Sequence, residues 1–122
     1  MPKIIVIEDE KILQDLLSKE LIKWGYKIET ASDGEEGLQK IRQINPDLIL
    51  LDLVMPIKNG YDVLIELRRD PLFVKVPVIV ISNSGQIDDL NRAYDLGAND
   101  VLIKAEFNPD QVAQKVKGWL SN

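Results

Sequence analysis

The chain contains neither histidine nor cysteine. Without cysteine it has no disulfides, no thiolate metal sites and no cysteine nucleophile, and it hints only weakly at a reducing compartment. Without histidine, Ser-His-Asp and Cys-His nucleophile pairs are excluded, as are His-based zinc sites. Nor can the chain carry phosphate on a histidine of its own. Any chemistry falls to carboxylates, hydroxyls, lysine and oxygen-bound metal. Long apolar runs are missing too: no segment reaches the roughly 18 apolar residues of a membrane span. The opening MPKIIVIEDE meets acids after four consecutive apolar residues, which leaves no signal-peptide core. A soluble, cytoplasmic protein is expected. Positive charge is in deficit, with 15 Lys and Arg against 20 Asp and Glu and a formal charge of −5. That balance argues against direct binding to nucleic acid or to an anionic membrane. It leaves basic or neutral protein surfaces and divalent cations as partners.

What is present suits one ordinary globular domain: 122 residues, 45% hydrophobic and 29% charged. Short apolar runs alternate with helix-period segments. Lys3 to Ile7 reads as a buried strand. From Glu10 to Trp24 the residues Leu13, Leu16, Leu17, Leu21 and Trp24 share a helical face, which Gly25 ends. Lys27 to Thr30 is a short strand. Ser32/Glu35 and Asp33/Glu36 both have capping-box spacing at the start of a helix carrying Leu38, Ile41 and Ile44, which stops before Pro46. Asp47 to Leu51 is the third strand, and Asn59-Gly60 opens a helix with Val63, Leu64 and Leu67. Pro77 to Ile81, Ile87 to Leu96 (closed by Gly97) and Asp100 to Ile103 give a strand, a helix and a strand. Asn108 caps the last helix, with Pro109 first and Gln111 third, burying Val112, Val116 and Trp119 or Leu120.

Five strands alternating with five helices make an α/β protein: a parallel sheet covered on both faces, doubly wound by right-handed crossovers. Such sheets bind ligands outside the carboxyl ends of their strands. The strands here run into Glu8 and Asp9, Asp52, Ser82 and Lys104. Singly, each reads as a turn residue, a cap or a solvated strand end. Jointly they place three acids, a hydroxyl and an ammonium on one sheet edge. Three carboxylates and one lysine sum to −2, which one Mg²⁺ neutralises; Mg²⁺ prefers oxygen ligands and bridges carboxylates to phosphate. Asp52 is then a candidate nucleophile toward phosphorus, with Lys104 and Ser82 stabilising the transferred group.

The set Glu8-Asp9, Asp52-Leu53-Val54-Met55-Pro56 with Gly60, Ser82, and Lys104 after Ala98-Asn99-Asp100 resembles the receiver domain of two-component response regulators over essentially the whole chain. The resemblance implies a flavodoxin-like fold with strand order 2-1-3-4-5. It implies that Asp52 takes a phosphoryl group from a phosphohistidine of a histidine kinase or histidine phosphotransfer protein, and hydrolyses it slowly. By the same resemblance Asp9, Asp52 and the backbone carbonyl of Val54 bind Mg²⁺, Glu8 acts through the metal's waters, and Ser82 and Lys104 hold the phosphoryl group. The chain would catalyse only its own phosphorylation and dephosphorylation and would signal to a downstream protein whose identity the sequence does not carry. Residues 1–122 are read as one receiver domain without an effector domain, which fits a stand-alone receiver and a piece of a longer protein equally.

Three positions depart from the family pattern. Ala105 follows Lys104 where a cis proline is usual; a cis bond before a non-proline residue costs about 3–4 kcal/mol, so the loop before Phe107 is free to differ. Val101 stands where a Tyr or Phe usually swings inward. Asn83 replaces the usual small residue after the hydroxyl, and either crowds the donor, bonds near the phosphoryl group or turns outward. These departures favour a rival reading, a docking module that keeps the fold without phosphorylation. A phosphatase with Asp52 as nucleophile ranks last, since haloacid-dehalogenase-type enzymes place a second aspartate where this chain has Val54.

Overall fold

Strands and helices alternate strictly along residues 1–121, which this computed structural model describes. They are β1 (Lys3–Ile7), α1 (Lys11–Lys23), β2 (Lys27–Ala31), α2 (Gly34–Ile44), β3 (Leu48–Asp52), α3 (Gly60–Arg69), β4 (Val78–Ser82), α4 (Ile87–Asp95), β5 (Asp100–Ile103) and α5 (Pro109–Leu120), with a 3-10 turn at Lys104–Glu106. The five strands form one sheet in the order β2-β1-β3-β4-β5, and every neighbouring pair is parallel. The expected order is therefore the observed one. β3 and β4 are buried along their whole length, and β1 from Ile4 on. That is why these segments read as unbroken apolar runs.

Side chains alternate between two cores. Ile5, Ile7, Ile49, Leu51, Val78 and Val80 face α2, α3 and α4, meeting Leu38, Ile41, Val63, Leu64 and Leu67. Ile4, Val6, Leu48, Leu50, Ile79 and Ile81 face α1 and α5, meeting Leu17, Leu21, Val112 and Val116. Each fully buried Ile or Leu contributes about 1.5–3 kcal/mol. The two cores clamp the central strands and fix the edge on which their carboxyl ends emerge.

Several local expectations shift. β3 and β4 start and end one residue later than the apolar pattern suggests, so Asp52 and Ser82 are the last residues of their strands. Register explains this: Asp52 pairs with Ile81, and Ser82 with Ile103. The buried stripe of α1 is Gln14, Leu17 and Leu21, while Leu16 is half exposed. Leu16 lies about 100° around the helix from Leu17 and cannot share its centre. At α2 the Asp33/Glu36 pair is used: the Asp33 carboxylate accepts from the Glu36 amide at 2.8 Å, and the Glu36 side chain accepts from the Ser32 amide at 2.6 Å. The capping box of α5 forms as expected, with Asn108 and Gln111 bonded reciprocally.

Candidate functional site

The carboxyl ends of β1, β3 and β5 bring Glu8, Asp9, Asp52 and Lys104 together. Carboxylate oxygens of Glu8, Asp9 and Asp52 lie within 4.8 Å of one another. Glu8 is fully buried, Asp52 nearly so, and Asp9 is exposed at the mouth. Lys104 Nζ sits 2.8 Å from Glu8 Oε1 and 3.4 Å from Asp52 Oδ2. Two buried carboxylates beside one buried ammonium leave net negative charge in a dry place. Burial, and then the charge of Glu8, push the Asp52 carboxyl up to about 8, against the pull of Lys104. For Lys104, burial works against the charge. Its contact with Glu8 and the charges of Asp52, Glu8 and Glu10 outweigh it, and the ammonium is held above its ordinary range.

Local structure aims these groups. The Glu8 amide donates to the Ala31 carbonyl at 2.9 Å, and Glu8 Oε2 accepts from the Glu10 amide at 3.0 Å. The Gln14 side chain donates through Nε2 to the carbonyls of Glu8 at 2.9 Å and Ala31 at 3.1 Å, tying α1 to the ends of β1 and β2. After Asp52 the chain turns back through Val54, which is exposed, and the Gly60 amide donates to the Leu53 carbonyl at 2.9 Å. A methyl group on Gly60 would collide with the Asp52 carbonyl oxygen, so only glycine lets α3 start this close.

The donor set fits a hard divalent cation. All three acids offer oxygen, and the approach of Glu8 Oε1 to Lys104 Nζ is too poorly aligned for a hydrogen bond, so both buried atoms keep unspent capacity.

Ser82 also lies on this edge and is buried, but its hydroxyl donates to the Ser84 carbonyl at 3.2 Å and accepts from the Ser84 amide at 3.0 Å. Asn83 turns outward and is exposed. No peptide bond among the described residues is cis; Ala105 lies in the 3-10 turn, and Lys104 still reaches both Glu8 and Asp52. Val101 is half-buried, and its amide donates to the Tyr94 hydroxyl at 3.2 Å.

Two residues escaped the sequence reading. Glu10 Oε1 lies 3.6 Å from Lys104 Nζ, a third carboxylate on the same ammonium. The run Glu8-Asp9-Glu10 was its only signal. Gln14 was visible as a polar residue interrupting the leucine stripe between Leu13 and Leu17.

The model of the response regulator receiver domain matches residues 4–117. The chain is 38% identical over 120 residues to the DNA-binding dual master transcriptional regulator RpaA of a Synechocystis species, covering 98% of this chain but 49% of that protein. It spans about half the length of the curated relatives it matches. Among solved structures it is similar to the phosphorylated cyanobacterial phytochrome response regulator RcpA, with a TM-score of 0.84, 38% identity, and coverage of 98% of this chain and 94% of that one. It is also similar to the Mn(2+)-bound form of the response regulator Rcp1, with a TM-score of 0.86, 29% identity, and coverage of 100% and 96%.

Proposed function

The chain belongs to the response regulator receiver domain family, the phosphoacceptors of two-component signalling, and from that premise we propose that Asp52 is the acceptor and that Lys104 and Ser82 hold the transferred group. One observation supports this most: the Lys104 ammonium stands between Glu8 and Asp52, where an oxygen of a phosphoryl group on Asp52 would arrive. The donor is a phosphohistidine on a histidine kinase or histidine phosphotransfer protein. An Asp52 oxygen attacks phosphorus, the N–P bond breaks, and its electron pair stays on the donor's imidazole, leaving an acyl phosphate. Lys104 then balances charge on the phosphoryl oxygens, and the Ser82 hydroxyl donates to one of them.

The residues would hold Mg²⁺ through Asp9, Asp52 and the Val54 carbonyl, with Glu8 acting on it less directly. When bound it supplies positive charge that keeps Asp52 ionised and offsets the charge of the phosphoryl group. The chain turns over no external substrate and passes its state to a downstream protein. No helix among the described residues is long and apolar enough to cross a membrane, and cytoplasmic residence fits the proposed exchange with a kinase. A docking module without phosphorylation would have no use for three acids gathered around a buried lysine.

Intact mass before and after incubation with acetyl phosphate and Mg²⁺ tests the assignment. One phosphoryl group should add, be labile to hydroxylamine, and vanish in Asp52→Asn. A mass shift that persists in Asp52→Asn would sink it; no shift in the parent with any donor would favour the docking module.

A further inference from the structure

Between Asp52 and α3 the chain turns back within a few residues, and it does so under strain. The Lys58 amide donates to the Pro56 carbonyl at 2.7 Å, which closes a three-residue turn on Ile57. Ile57 takes a φ of 68°, in the left-handed region that a β-branched side chain rarely enters. Its side chain is 82% exposed, so packing offsets little of this. A strained turn persists only where its surroundings hold it.

Lys58 supplies the hold. Its carbonyl accepts from the Gly34 amide of α2 at 3.0 Å, an approach so close that a methyl group on Gly34 would collide with it. Its partly buried ammonium donates to Glu66 on α3 and lies 3.5 Å from Glu35 on α2. Glu66 in turn lies 3.5 Å from Arg42 on α2. The amide, carbonyl and ammonium of one residue thus tie the loop to two helices. Leu53 and Met55 point into the core and fix where the loop leaves the sheet. The peptide between Val54 and Met55 has no such anchor: among the described residues neither the Val54 carbonyl nor the Met55 amide has a hydrogen-bond partner. Its orientation follows the turn that comes after it.

We propose that Lys58 is a positioning residue for the cation: by holding the strained turn at Ile57, it keeps the Val54 peptide in the orientation in which its carbonyl serves as a ligand. The inference rests on the reading of that carbonyl as part of the metal site. Without the ammonium the Ile57 turn relaxes and the Val54 peptide samples other orientations. The apparent cation affinity then falls in proportion to the time the binding orientation is lost. Direct electrostatics works in the opposite sense. Removing a positive charge and leaving Glu35 and Glu66 without it would tighten Mg²⁺.

The test is calorimetric titration of the full chain with Mg²⁺, joined to amide exchange on the metal-free protein, with circular dichroism confirming that each variant is folded. Lys58→Met should weaken Mg²⁺ roughly fourfold, as for a loop that is competent about a quarter of the time. The metal-free Gly34 amide, whose acceptor is the Lys58 carbonyl, should exchange faster in the same variant. Ile57→Asn combined with Lys58→Met should recover most of the lost affinity, because asparagine tolerates the left-handed region while the charge stays missing. Glu66→Gln, outside the loop, should weaken Mg²⁺ by roughly twofold, as for one partly exposed ion pair. Parental or tighter Mg²⁺ binding in Lys58→Met overturns this inference alone, as does a loss that Ile57→Asn leaves unrelieved or an unchanged Gly34 amide. Absence of Mg²⁺ binding in the parent, or parental binding in Asp9→Ala, overturns the metal reading and this inference with it.

Discussion

Helices α2 and α4 cover the same face of the sheet, yet they are held by different forces. α2 buries Leu38 and Ile41, and sets Gly37 so close to Ile7 that any side chain there would collide with it. α4 buries Ala93, exposes Ile87 and Tyr94, and is tied by a hydroxyl-carboxylate bond from Ser84 to Asp89, by two hydroxyl-amide bonds (Ser84 with Gln86, Tyr94 with Val101) and by one cation–π contact. Apolar burial is non-directional and is lost only by unfolding. Hydrogen bonds are directional and exchange partners at small net cost. One helix is therefore held by packing, and the other by directional polar contacts.

The comparison breaks most readily at its apolar end. Ile41→Ala should destabilise the protein by about 2–5 kcal/mol in urea unfolding, as deletion of a fully buried side chain does. Ile87→Ala on α4 should stay within about 0.5 kcal/mol, as surface changes do. Equal losses in the two would mean that α4 is packed like α2.

The site edge beside both helices has its own signature. Asp52 is held protonated up to about 8 in the folded chain against 3.8 as its ordinary value. A raised carboxyl means that the folded state binds more protons than the unfolded state between those values. Without metal, stability should fall as pH rises from about 4 to about 8, and Mg²⁺ should reduce the fall. Asp52→Asn should flatten the profile and gain on the order of 1–2 kcal/mol near neutral pH, a rise of roughly 5 °C in Tm. A parent profile that climbs over this range would contradict the crowding of Glu8 and Asp52.

Smaller effects sharpen the polar end. Tyr94→Phe removes one of the two acceptors of the Val101 amide, leaving Asp100 Oδ1 at 3.0 Å, and should cost about 0.5–1 kcal/mol, with unchanged exchange at Leu38 and Ile41. Arg92→Ala removes an exposed cation–π contact and should cost about 0.5–1 kcal/mol in thermal unfolding. Effects that spread into α2 from either variant would erase the distinction between the two helices.

Much of this was legible in the residues. The apolar runs at Ile4–Ile7, 48–51 and 78–81, the helical stripes between them, and the Asn108-Pro109 start of α5 determined the elements, because burial and capping act over a few neighbours. Parallel strands all end at one edge. Sequence alone could therefore gather Glu8, Asp9, Asp52, Ser82 and Lys104. Only the tertiary structure decided that Gln14, not Leu16, lies in the stripe of α1. The carbonyls of Glu8 and Ala31 needed a donor there, and they come from two strands far apart in sequence. It also decided that Glu10 shares Lys104, that Asn83 faces out, and that the Ser82 proton goes to Ser84. Periodicity sets which face a side chain takes. Which of several acceptors receives its single proton depends on ångström-scale distances between segments that meet only when the sheet is assembled.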